Sequence, residues 1–291
     1  MQTPTLSLPR ASLPLALTLT ATAAAALIGH SAQAAASLAA SGQRFGLEHH
    51  MTRTLADFAS TTASQRSALS DKEYFSFSGV GAIVCTVNGE QRNATAFLVG
   101  AFDIGVTVAH TFVDNGKWVQ PEGCVYTTTD SRGQVRERIP VAYVKAEWQA
   151  ESAAVGQVAK DFAVLRLAEP SRFAQRTMPL GKFSGFAANV VMVGFHADID
   201  TGTVKVKTEG RVYDQKSSDL FAPTLAGYVH DMDARNIAAG APVIDEHSGV
   251  IIGVHTQGRT QAGAPRNTMI TMNEWLEATL RAEMQTTAKA P

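Results

Sequence analysis

Excess charge of either sign is what this chain has least of. Its 25 Lys and Arg against 26 Asp and Glu leave a net charge of −1 over 291 residues, and no Lys/Arg tract interrupts the balance. Such a chain has no electrostatic footprint for nucleic acid or for an anionic membrane surface, and neither is expected as a partner. Cysteine is nearly absent, with only Cys85 and Cys124, so no Cys/His array with zinc spacing exists. No metal and no cofactor is expected. Aromatics are sparse at 7%, yet 45% of residues are hydrophobic and 18% charged, the balance of an ordinary globular protein with a core of normal size. No internal repeat is evident.

The N-terminus stands apart. Met1–Arg10 is polar with one positive charge, Ala11–Gly29 is an apolar run rich in Ala, Leu and Thr, and Ala32-Gln33-Ala34 is a small-x-small cleavage pattern. The three together read as a secretory signal peptide over 1–34, which implies a secreted or periplasmic protein. The run approaches the ~20 residues of a membrane span, but its many Ala and Thr make it a weak one. Removing 1–34 takes away one arginine and no acid, moving the net charge from −1 to −2. Residues 35–77, rich in Ala, Ser and Thr with a weakly helical stretch near Met51–Leu69, read as a loosely attached leader or pro-segment. In an oxidising compartment Cys85 and Cys124 most simply form one disulfide, the alternative being two buried thiols.

From Tyr74 onward short β-branched runs alternate with turn residues. Val80–Val87 meets Asn88-Gly89, a strong hairpin signal because both residues tolerate positive φ. Strands follow at Ala94–Val99, Gly105–Ala109, Cys124–Thr129, Gln134–Val144, Phe162–Leu167, Val190–Phe195, Thr203–Val206, Gly210–Tyr213, Pro242–Ile244, Val250–His255 and Thr268–Thr271. Many short strands without alternating helices argue for an all-β sandwich or barrel. Asn273 can cap a C-terminal helix over 273–284, in which Trp275, Leu276 and Leu280 form an apolar stripe; 285–291 is a tail.

Three segments carry possible chemistry. Thr95-Ala96-Phe97-Leu98-Val99-Gly100 precedes Val106-Thr107-Val108-Ala109-His110, a strand, turn and strand ending in Ala-His. Asp161-Phe162-Ala163-Val164-Leu165-Arg166-Leu167 places an acid at the mouth of an apolar strand. Ala239-Gly240-Ala241-Pro242-Val243-Ile244-Asp245 is followed by Val250-Ile251-Ile252-Gly253-Val254-His255. The segments and their order resemble the trypsin-like (chymotrypsin-fold) serine proteases. The run Tyr228-Val229-His230-Asp231-Met232-Asp233 is closest to bacterial glutamyl-endopeptidase-like members. The resemblance covers about 78–284 and implies two six-stranded antiparallel β-barrels, about 78–175 and 176–272, with the site in the cleft between them.

It further implies His110 as general base and Asp161 as the carboxylate that orients it. By the same resemblance position 239 is where the family's nucleophile stands, and the main-chain N–H groups of Ile237 and Ala239 would form the oxyanion hole. Asp233 and His255 fall on the pocket for the substrate side chain, with acidic and basic preferences both open. The resemblance implies a peptide or protein substrate, and the chain is expected to be monomeric.

Two departures matter. Ala239 has no oxygen with which to attack a carbonyl, so the chain is expected to be inactive as written. Ile237 replaces the usual glycine, and its branched side chain is expected to crowd the leaving-group side. Ala238 replaces the acid that receives a new N-terminal ammonium in trypsin, so that mode of activation is not expected. The competing reading is a pseudoprotease that grips peptides or a protein without cutting. His196, Asp198, Asp200, His230 and Asp231 are the nearest approach to a metal set, but their spacing in turn-like sequence reads as solvated loops.

Overall fold

Runs of buried residues, several of them bounded by turns with positive φ, decide where the strands of this protein begin and end. The structure, a computed structural model, describes residues 66–114, 117–119, 122–147, 160–216, 227–234, 237–261 and 264–287. The signal-peptide reading and most of the leader lie outside these residues.

The first barrel is a closed ring of six antiparallel strands. In chain order they are β2 (Val80–Val87), β3 (Glu90–Leu98), β4 (Ile104–Val108), β7 (Glu122–Thr129), β8 (Val135–Ala146) and β9 (Phe162–Leu167). Asn88 and Gly89 turn β2 into β3 with φ of 49° and 77°, the doubly positive turn whose twist suits a two-residue hairpin. Ile83, Leu98, Phe112, Tyr126, Ile139 and Leu165 fill the ring. Between β4 and β7, β5 (Val113–Asp114) and β6 (Lys117–Trp118) make a small separate ribbon. Cys85 and Cys124 are disulfide-bonded. They sit on neighbouring strands at a shift in register between Val84↔Val125 and Thr86↔Glu122, which turns both side chains towards each other.

The second barrel contains β10 (Ala188–Phe195), β11 (Lys205–Lys216), β12 (Tyr228–His230), β13 (Pro242–Asp245), β14 (Ile251–Gln261) and β15 (Ala264–Thr271). The sheet runs β11-β10-β13-β14-β15-β12, and pairing of β11 with β12 closes it. Two strands expected at 203–206 and 210–213 are therefore one. Gly210, which looks like a break, is a site of close approach: a Cβ there would lie 2.6 Å from Met232 Cγ and 2.7 Å from Asp231 Oδ1. The two barrels share a continuous apolar cluster in which Phe97, Val106 and Phe162 meet Val193, Ile251 and Val254.

The end of the leader is not loosely attached. β1 (Arg66–Ala68) pairs antiparallel with β11, Arg66 opposite Thr208 and Ala68 opposite Val206. β12 takes up the pairing farther along, from Val212. The helical stretch foreseen near Met51–Leu69 is thus strand where it is described. The next residues form a short helix, α1 (Asp71–Ser76), closed by a reciprocal cap between Ser70 and Glu73. Tyr74 is buried, its hydroxyl 2.6 Å from Thr129 O and 2.5 Å from Asp130 O. Lys205, wholly buried, stands 4.3 Å from the Tyr74 ring centroid and donates to Phe77 O and Val80 O. Burial pushes its pKa down to about 7.

The C-terminal helix, α2 (Glu274–Thr287), begins where Asn273 Oδ1 accepts from Leu276 N at 2.8 Å. Leu276 and Leu280 join the inter-barrel cluster. The buried Glu283 accepts from Tyr143 Oη at 2.7 Å and pairs with Lys145 and Arg166, fixing the helix against β8 and β9.

Candidate active site at the barrel junction

Register alone brings the first two residues together. β4 pairs with β9 so that Val108 faces Phe162, which puts the residues just beyond, His110 and Asp161, side by side. A single turn of 3-10 helix, Ala109–Phe112, swings His110 out of the strand. Ala109 N donates to Asp161 O at 3.2 Å. His110 N donates to Asp161 Oδ1 at 2.8 Å, and Nδ1 lies 2.7 Å from Oδ2. The carboxylate side chain is 2% exposed, the imidazole 27%. A carboxylate that accepts from Nδ1–H leaves Nε2 as the acceptor on the open side of the ring. Thr256 Oγ1 donates to the same Oδ2. Sequence reasoning passed over Thr256, because a threonine in a strand is ordinary β propensity and carries no signal of its own.

Position 239 belongs to the second barrel but is held by the first. Thr95, on β3, donates its main-chain N–H to Ala239 O and its hydroxyl to Ile237 O, both at 2.8 Å. Gly240 follows with φ of 89°, and a Cβ there would sit 2.1 Å from Thr95 O; only glycine passes so close to another main chain. Gly240 N donates to His255 O at 2.8 Å, and His255 N to Ala241 O at 2.9 Å. Because Thr256 is the next residue, β14 links the turn at 239 to the His110–Asp161 couple through two bonded steps. Ala239 is buried within the inter-barrel cluster and presents only a methyl group.

Ile237 adopts φ of 79°. A β-branched residue in the left-handed region costs about 1–3 kcal/mol and persists only where its surroundings hold it. Here the side chain is 2% exposed and packs with Ala82 and Phe195. The side chain is turned inward, into this cluster, where the sequence led us to expect it on the leaving-group side. The reason is Gly202, φ 75°, whose missing Cβ leaves space for Ile237 Cδ1.

The two residues expected at the substrate-side-chain pocket are both buried. His255 Nδ1 lies 3.1 Å from His230 Nε2, with the rings edge to face. Burial drives the His230 pKa down to about 3, so that imidazole is neutral. Asp233 Oδ2 lies 3.0 Å from Arg66 Nε. Asp231 accepts from Arg211 N at 2.7 Å and from Tyr213 Oη at 2.8 Å. Solvated loops are therefore the wrong description of several residues weighed as a metal set. His196 and His230 are fully buried and Asp231 nearly so, because β10 and β12 carry them into the barrel. Among the described residues no three His, Cys, Asp or Glu side chains converge to hold a metal ion.

No protein-family model and no curated protein sequence matches the chain. Solved structures do. A thermostable serine protease from an extremophilic microorganism superposes with a TM-score of 0.59 at 12% identity, covering 73% of this chain and 99% of its own. A Glu endopeptidase gives 0.57 at 12% identity, covering 76% and 96%. An inactivated protease paralogue of the scabies mite gives 0.54 at 15% identity, covering 75% and 98%. The chain has the trypsin-like (chymotrypsin) fold.

Proposed function

We propose that this protein is an exported serine-endopeptidase scaffold, with His110 as general base, Asp161 as its orienting carboxylate and residue 239 as the nucleophile position. The observation that carries the reading is the two-point grip of Asp161 on His110, main-chain N–H to one oxygen and Nδ1 to the other. With a serine at 239, its Oγ would attack a peptide carbonyl while His110 Nε2 takes the hydroxyl proton. The N–H groups at 237 and 239 would receive the developing oxyanion. The proton would then pass from Nε2 to the leaving amine, and water would release the acyl group by the same base. With Ala239 no covalent step begins, and loss of such a nucleophile costs on the order of 10⁶-fold in turnover.

The test is chemical labelling. The chain as it stands is expected to be inert to fluorophosphonates; Ala239→Ser should label, and Ala239→Ser with His110→Ala should not. Labelling of the unmodified chain at another serine would place the nucleophile elsewhere.

A second reading has its own observation, the left-handed Ile237 beside Ala239. Both departures lie in one turn, as expected of a pseudoprotease that binds peptides or a partner protein without cleaving. A folded Ala239→Ser variant that never labels, together with saturable peptide binding by the unmodified chain, would favour it. The apolar leader and the disulfide support export in either reading. N-terminal sequencing of exported material tests this, with Ala35 as the expected first residue.

A further inference from the structure

The Arg66 side chain is only 3% exposed. Long cationic side chains are seldom covered to that degree unless paired. This one has two acids. Nε lies 3.0 Å from Asp233 Oδ2, whose side chain is 0% exposed. Nη1 lies 2.9 Å from Asp198 Oδ1 and 3.0 Å from Oδ2. Asp198 follows the end of β10, and Asp233 lies in the segment between β12 and the turn at 237–241. The β1–β11 pairing, with Arg66 opposite Thr208, delivers the guanidinium to both.

We infer that Arg66 is a specificity-determining residue: its guanidinium takes up the charge of Asp233, so the substrate pocket discriminates against lysine and arginine side chains. The inference rests on the proposed reading of Asp233 as part of that pocket. A buried carboxylate selects a cationic side chain only while its charge is uncompensated. A guanidinium at hydrogen-bond distance, itself out of water, removes that selectivity, because a second cation would meet a neutralised acid and a like charge. His255, the other residue assigned to that pocket, has its Nδ1 facing the neutral His230. Such a pocket takes acidic or uncharged side chains.

The probe is p-aminobenzamidine, an amidinium that reports entry into a carboxylate-lined pocket by fluorescence and needs no nucleophile. The unmodified chain should show no saturable binding. Arg66→Met, which keeps the aliphatic bulk, should bind saturably, with a Kd roughly ten- to a hundredfold below the highest concentration at which the unmodified chain shows no binding, the worth of one close ion pair. Arg66→Met with Asp233→Asn should lose the gain. Saturable binding by the unmodified chain, or none by a folded Arg66→Met variant, overturns the inference.

If Arg66→Met does not fold, the pair is read from stability instead. Asp233→Asn should then restore folding by removing the buried negative charge that Arg66 no longer offsets, and failure to restore it also overturns the inference. Labelling separates this inference from the reading beneath it. If Ala239→Ser labels but p-aminobenzamidine does not protect Arg66→Met/Ala239→Ser, the role of Arg66 falls and the site stands. If folded Ala239→Ser never labels, the site falls and takes the inference with it.

Discussion

The two barrels contribute unequally to the junction they share. The first supplies a His–Asp couple with every expected bond in place, held by the register of β4 against β9. The second supplies a turn whose main-chain path is secured by Thr95, Gly240 and β14 but whose side chains at 237 and 239 are those of a hydrocarbon core. Shape and chemistry are separable here. The turn is held from outside through its main-chain atoms, and none of these bonds involves the side chain at 239.

The sharpest way to break that contrast is to give the second barrel an oxygen and then remove the first barrel's acid. In an Ala239→Ser background, Asp161→Asn should lower kcat on the order of 10⁴-fold by presenting the wrong imidazole tautomer. Steady-state kinetics on an activated ester measures it, and an unchanged kcat would mean that the first barrel is not contributing as drawn.

Next in size is the disulfide, which braces the first barrel alone. Replacing Cys85 and Cys124 by alanine should cost about 2–4 kcal/mol in denaturant unfolding, while in the Ala239→Ser background labelling persists at temperatures where the variant stays folded. Thr256→Val tests the link between the barrels. Removing the hydroxyl that donates to Asp161 should cost about 1 kcal/mol, or several-fold in kcat, with KM little changed; a rise in KM alone would assign Thr256 to substrate binding.

The smallest expected effect concerns Ile237. Both Ile237→Ala and Ile237→Gly lose its packing, but only glycine relieves the left-handed backbone. The glycine variant should therefore be the more stable of the two by about 1 kcal/mol, reversing the usual order. Equal midpoints in thermal unfolding would show that the backbone at 237 is not strained.

Much of this was legible in the sequence, for reasons that differ by element. β2 and β9 can be read to the residue, because Asn88-Gly89 closes one and Asp161 opens the other. The His110–Asp161 pairing was legible because each residue ends or precedes a strand, where chain direction leaves little choice. Gly210 misled, since a glycine that admits Met232 and Asp231 looks in sequence like one that makes a turn. β12 went unseen because it is three residues long and its pairing with β11 passes through a shift in register between Val212 and Lys216. Thr95 was noticed for the strand it sits in, not for the two carbonyls it holds 142 and 144 residues later. Long-range hydrogen bonds of that kind leave no periodic mark. The position of Ile237 was legible, but the direction of its side chain was not, because it depends on space at Gly202.

β1 and β12 occupy the same edge of β11 in tandem, one ending near Val206 and the other starting at Val212. Seen as a matter of maturation, this sets a limit on how far the leader can be trimmed. A cut upstream of Arg66 leaves the edge covered, the guanidinium delivered and Tyr74 packed beside Lys205. A cut at the basic residue Lys72 would uncover unpaired strand edge on β11, release Arg66 from two carboxylates and withdraw half of a reciprocal helix cap. The finished protein is thus expected to begin at or before Arg66, and the former leader's last dozen residues belong to the working domain.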